Sequence, residues 1–162
     1  MQDIKRYKEL RNKIEPEYVS IDLQGIYLFN SDEIEKAQVG YSITPEGESL
    51  VGKEAGDWKA EWLVIGYEDL IGDPIFIDCS NYDYPVFTAM HGEDEWNEIK
   101  ISSSFLNFIE SLKIVSEFAS IMDELEGQEL EKEKMRTLNK INEKDSWFWE
   151  NWLDTECYSE NN

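Results

Sequence analysis

Outside its carboxylates the chain has few residues suited to acid–base, nucleophilic or metal chemistry. His91 is the only histidine, so a Ser–His–Asp or Cys–His arrangement would have to take it as its base. It follows the apolar run Pro85–Met90 and precedes Gly92-Glu93-Asp94-Glu95, which places it at a strand end facing solvent. Cys79 and Cys157 lie far apart, and neither belongs to a C-x-x-C pair. With His91 they fall short of the four Cys or His ligands that a zinc site wants. Asp69, Asp73, Asp78 and Asp83 are spaced about five apart, yet no D-x-[DN]-x-[DN]-G loop occurs among them. Paired acids could serve a glycosidase, but among 36 acidic residues proximity is expected by chance. Neither G-x-x-x-x-G-K-[ST] nor G-x-G-x-x-G is present, so a glycine loop cradling phosphate has no support. The expectation is a chain that is not an enzyme and needs no cofactor and no metal.

The remaining chemistry is charge. The formal net charge is −21 at pH 7, and residues 21–110 carry 19 acidic against 4 basic groups, a net −15. Such a field repels phosphate backbones and anionic lipid heads, so direct nucleic-acid and membrane binding are disfavoured. It attracts a basic partner protein and speeds encounter with it at low salt. Acidity that serves solubility alone is the alternative. Two lone cysteines, no apolar run near the roughly 18 residues of a membrane span, and no apolar signal segment after Met1 point to the cytoplasm.

The elements that must carry this charge follow from periodicity. Ile4, Tyr7, Leu10 and Ile14 mark one face of a helix over 3–15 that Pro16 ends. Ile21, Leu23 and Ile26–Phe29 read as a strand or extended segment broken by Gly25. Ser31 is placed to cap a short helix reaching about Val39, and 44–56, with Gly47, Gly52 and Gly56, reads as exposed mobile connection. Glu61–Ile65 ends at Gly66 as a strand, Pro74–Cys79 alternates, and Pro85–Met90 is a third strand. A last short strand spans Trp96 to Ile101. Connections this short favour an antiparallel meander, because a parallel crossover needs a dozen or more residues. From Phe105 to Leu125 an apolar stripe predicts a long helix, with a serine of 102–104 as cap and Gly127 as stop. A solvated helix with Leu130, Met135, Leu138 and Ile141 on one side follows over 128–144. The tail 145–153 holds three of the six tryptophans. The fold class is therefore α+β: one domain over 1–162, an antiparallel meander flanked by helices, with a helical, Trp-rich extension over about 120–162.

The ordered pieces Trp58-x-x-x-Trp62-Leu63-Val64-Ile65-Gly66, Gly72–Asp78, Tyr84–Phe87, His91-Gly92, Trp96, Ile101 and Ser104-Phe105-x-x-Phe108-Ile109 resemble the SUKH superfamily over about residues 18–112. That superfamily includes fungal cell-wall-synthesis regulators, and bacterial immunity proteins encoded beside polymorphic or contact-dependent toxins, often nucleases. The resemblance implies an antiparallel sheet flanked by helices. It also implies inhibition by binding, with no catalytic set carried over. Its early proline–tyrosine–glycine stretch is matched only by Pro16, Tyr18 and Gly25, and 120–162 extends past the usual domain end.

Two functions compete on this reading. One is an immunity protein that binds a cognate basic toxin domain through its acidic surface. The other is a regulatory or scaffold protein of cell-wall assembly or signalling. The residues expected to meet a partner are Asp69, Asp73, Asp83, Glu93, Asp94 and Glu95, together with Trp149 and Trp152, whose alternative is to dock inward against the sheet or the helix before them.

Overall fold

The computed structural model describes residues 2–14, 17–21, 24–92, 94–141 and 145–154. Pro16, Leu23, Glu93 and Cys157, singled out above, lie outside them. Strands β1 (Tyr18–Ile21), β2 (Gln24–Leu28), β3 (Trp62–Glu68), β4 (Pro74–Asp78), β5 (Val86–Thr88) and β6 (Ile99–Ser102) form one sheet in sequence order, each antiparallel to the next. The meander read from the short connections is present. Helices α1 (Gln2–Arg11), α2 (Ile34–Ala37), α3 (Phe105–Ala119), α4 (Gly127–Lys140) and α5 (Ser146–Leu153) complete an α+β fold.

Period-2 alternation sends Val19, Ile21, Ile26, Leu28, Leu63, Ile65, Ile75 and Ile77 to one face, where they meet Phe105, Phe108, Leu112 and Val115 of α3. Ser104 starts α3 by accepting from Asn107 N with its side chain, as the sequence suggests. Each large side chain of that stripe contributes about 1.5–3 kcal/mol on full burial. Helix α1 docks through Tyr7 and is tied down by Arg11. The Arg11 guanidinium is buried and donates to the carbonyls of Phe29, Ile14 and Leu28 at 2.9, 2.6 and 3.3 Å. Those bonds offset the desolvation of a buried cation.

The opposite face is also apolar. Trp58, Trp62, Val64, Phe76 and Ala89 form a second buried cluster against Phe29, Tyr41, Val51, Phe87 and Trp96. Trp58 anchors the long β2–β3 connection, bridging Val51, and its carbonyl accepts from Gly52 N at 3.1 Å. Segment 44–56 is exposed at 45–50 and 53–55, as expected, and is tied at Val51, Gly52 and Gly56 to a packed flap.

Other expectations are corrected. The extended segment before Phe29 is a hairpin of two strands. The strand placed before Gly66 continues to Glu68, because a bulge between Val64 and Gly66 absorbs one residue. A Cβ on Gly66 would lie 2.2 Å from the Tyr27 carbonyl oxygen, so only glycine fits there. Ser31 does not cap α2: the residue before α2 is Glu33, whose carboxylate takes up Asn30 N and the Tyr27 hydroxyl. Helix α3 ends at Ala119, and a 3₁₀ turn at Met122–Glu124 follows. Gly127, with φ +53°, opens α4 instead of closing α3. On α4, Met135 is exposed, while Leu130, Leu138 and Ile141 reach the core. Among the described residues no helix is long and apolar enough to cross a membrane.

Helix α5 completes the core. Asp145 is buried and accepts from Ser102 Oγ at 2.8 Å and Ser103 N at 3.0 Å, pinning the start of α5 to the end of β6. Gln24 Nε2 donates to the Trp152 carbonyl, joining α5 to the first hairpin.

Tyr7 packs edge-on against Phe105 at 5.1 Å, and its buried hydroxyl has no hydrogen-bond partner among the described residues. Burial raises its pKa far above the usual phenol range. Since the folded state favours the protonated phenol, its contribution is complete below the unfolded pKa of about 10. It falls by about 1.4 kcal/mol per unit as pH rises further toward the folded value. Tyr7→Phe should remove that alkaline slope and leave neutral stability unchanged or up to about 1 kcal/mol higher. Urea unfolding at pH 7, 10 and 11 checks both. An undiminished slope, or a loss above about 1 kcal/mol at pH 7, counts against it.

Candidate functional site

An all-neighbour antiparallel meander gathers alternate connections at each end of the sheet. The end of β1 and start of β2, the β3–β4 hairpin (69–73) and the β5–β6 connection (89–98) share one end; the β4–β5 connection (79–85) lies at the other. This arrangement sorts the residues expected from the sequence. Asp69 and Asp73 on the β3–β4 hairpin and Asp94 and Glu95 on the β5–β6 connection lie at the first end, and Asp83 stands at the second. Glu93 lies outside the described residues.

At the acidic end the backbone holds the carboxylates in place. Asp69 accepts from Gly25 N at 2.6 Å and from the Tyr18 hydroxyl at 2.7 Å. Asp73 accepts from His91 N at 2.7 Å, tying the β3–β4 hairpin to the β5–β6 connection. Glu68 accepts from Leu70 N and Ile71 N, both at 3.0 Å, and so closes the hairpin tip. Glu95 packs over Gly56, and Trp96 N donates to the Gly56 carbonyl at 2.8 Å. Asp94 and Glu95 are exposed beside Gly92 and Asn97 around an open concavity.

Apolar side chains emerge within this acidic frame. Ile71 is 62% and Met90 57% exposed, and Leu70 is exposed beside Ile71. Sequence reading passed over Leu70 and Ile71 because they sit in a turn, where an apolar residue has no periodic neighbours, and it took Met90 for the end of a strand. Exposed apolar side chains beside charged ones are features that protein interfaces share. What the geometry offers chemically is fixed acceptors, Asp69 and Asp73, with exposed apolar side chains in the same connections. His91 is exposed, its ring 6.5 Å from that of Trp96. Among the described residues, no three His, Cys, Asp or Glu side chains converge as a metal site.

Asp83 belongs to different surroundings. Its carbonyl accepts from Phe105 N at 3.0 Å at the start of α3. Its neighbour Tyr82 lies under the Arg6 guanidinium, 3.4 Å from the ring centroid. Trp149 and Trp152 do not reach the surface. Trp149 is fully buried and stacks on Phe108 at 5.8 Å, and Trp152 packs edge-on against it at 5.6 Å. Helical spacing explains the correction. In Ser146–Leu153 positions 149, 152 and 153 share a face, and that face closes the core, which leaves Trp147 outward at 42% exposure.

Comparison of the chain with protein-family models, curated proteins and solved structures finds no match.

If the tail tryptophans are structural, their truncations must separate. Trp149→Ala should cost about 3–5 kcal/mol, whereas Trp147→Ala should stay within about 0.5 kcal/mol of the parent. Urea denaturation of the two variants makes the comparison, and equal losses would contradict the inward packing.

Proposed function

We propose that this chain is a non-enzymatic cytoplasmic binding protein that neutralises a cognate toxin domain by covering its basic surface. One observation carries the reading. Asp69 and Asp73 on the β3–β4 hairpin and Asp94 and Glu95 on the β5–β6 connection lie at the same end of the sheet, and Leu70, Ile71 and Met90 are exposed in those connections. Order along the chain did not require this, because 20 or more residues separate the hairpin from Asp94 and Glu95. The resemblance to the SUKH superfamily supports the same reading, since its bacterial immunity branch acts by binding.

The physics of such a complex divides between the two parts. Rim carboxylates steer a basic partner and raise its on-rate, an effect that salt screens with a Debye length of about 8–10 Å at physiological ionic strength. Burial of the apolar side chains lengthens the lifetime of the complex. A nuclease domain presents a basic surface to its substrate, and a protein lodged there competes with nucleic acid directly.

A pull-down from the native host, eluted stepwise with salt and identified by mass spectrometry, tests the reading. The expected product is a basic toxin domain that leaves at raised salt. Recovery of a cell-wall or signalling assembly instead would overturn it in favour of a scaffold role. With that toxin in hand, the combined change Asp69→Asn, Asp73→Asn, Asp94→Asn and Glu95→Gln should slow association about tenfold or more at low salt and flatten its salt dependence. Asp83→Asn, at the far end, should leave the rate within about twofold. Stopped-flow association across a salt series reads both, and an equal effect of Asp83→Asn would refute the assignment to one end.

A further inference from the structure

The outer face of the sheet is only partly covered. The flap around Trp58 lies over the β3–β5 side, and its aromatic cluster reaches as far as Phe29 and Tyr41. Beyond it, three tyrosines stand in register on adjacent strands: Tyr18 opposite Tyr27, and Tyr27 opposite Tyr67. The Tyr27 and Tyr67 rings are 5.4 Å apart and tilted by 40°. Tyr18 is 49% exposed, and the other two are half-buried. With strands about 4.8 Å apart, the row covers on the order of 10 Å, room for one or two side chains.

Carboxylates held in fixed positions flank this row. Tyr18 crosses over Gly25 to donate to Asp69, and a Cβ on Gly25 would come within 2.5 Å of the Tyr18 hydroxyl oxygen. Tyr27 donates to Glu33 at 3.0 Å, and the same carboxylate accepts from Asn30 N at 2.8 Å. A carboxylate has about four acceptor positions, so both acids keep spare acceptor capacity beside the row. None of the outward residues of β1–β3 is a lysine or arginine. A cation arriving here would meet electron-rich ring faces and preset anions, with little side-chain freedom left to lose.

We infer that this tyrosine row with Asp69 and Glu33 is an arginine-reading surface, occupied by an arginine-bearing segment of the basic partner protein. The inference rests on the proposed binding of a basic partner and names a second contact area on it. Charge complementarity selects a basic segment, and ring geometry selects arginine over lysine. A planar guanidinium stacks on an aromatic face while its edge donates to a carboxylate, whereas a strongly hydrated ammonium is a point charge. Arg6 over Tyr82 shows the same stacking elsewhere in this chain.

The test is an NMR titration of the full chain, labelled in its tyrosine rings and backbone amides, with blocked Gly-Arg-Gly-Arg and Gly-Lys-Gly-Lys peptides at equal salt. The expected result is shifts centred on Tyr18, Tyr27, Tyr67 and Gly25, half-developed at about threefold or more lower concentration for the arginine peptide. Tyr67→Leu and Asp69→Asn should each raise that concentration several-fold, with unfolding midpoints near the parent's as the folding control. Equal responses to both peptides, or shifts confined to the Asp94–Glu95 loop, would overturn the surface. So would a toxin affinity untouched by Tyr67→Leu, an outcome that leaves the acidic-end reading standing. Arginine-selective shifts on the tyrosines with no basic partner recovered from the host would sustain the surface and remove the toxin reading instead.

Discussion

Strand β3 is buried on both faces, and this constraint organises the molecule. Leu63 and Ile65 enter one core while Trp62 and Val64 enter the other. A strand apolar on both sides cannot sit in a sheet with one wet face, so each side must find a cover. On one side the cover is helical, built from α3, α1 and α5. On the other it is an irregular flap with one fully buried tryptophan at its centre. The flap succeeds because Trp58 touches Trp62, Phe76, Tyr41 and Trp96 with ring centroids 5.0–5.3 Å apart. Aromatic pairing at these distances adds to simple area burial. With both faces occupied, loop ends and one uncovered corner remain accessible.

The bulge in β3 decides what that corner displays. Under strict alternation from Leu63, Tyr67 would point into the helical core. The extra residue between Val64 and Gly66 resets the alternation, so Gly66 turns inward against Leu28 and Tyr67 turns outward beside Tyr27. A bulge redirects every later side chain of its strand at the cost of one unpaired residue. The tyrosine row and the helical core are thus settled by the same local irregularity.

Much of the architecture was legible because it rests on local periodicity. The α3 stripe, the alternation of β4 and the short connections between strands each carry their meaning within a dozen residues. What was not legible depends on partners remote in the chain. The apolar stripe of α3 seemed to reach Leu125 because Met122 and Leu125 keep a spacing of three, which suits a 3₁₀ turn as well as an α-helix. Gly25 read as a break, yet it sits inside β2 because Tyr18 must pass over it. Ser31 has the chemistry of a cap, but its hydroxyl donates to Asn12 Oδ1 and α2 starts only at Ile34. The acidic end was half legible. Charge singled out the aspartates, while their placement at one end of the sheet needed the strand order, and Leu70 and Ile71 carry no pattern of their own. Trp149 and Trp152 needed both a helical phase and a face left open by α3.

Helix α5 follows the face it covers at a distance. Phe108 stacks on Trp149, and Gln24 holds the Trp152 carbonyl across 128 positions. A ribosome adding about 5–20 residues per second delivers Trp149 on the order of seconds after Phe108. During that interval the inner face of α3 lacks its final cover, and the first hairpin waits for its last hydrogen bond. An acidic nascent chain repels its own copies on a crowded polysome at that stage. The net charge of the finished protein therefore also guards it against self-association while it is being made.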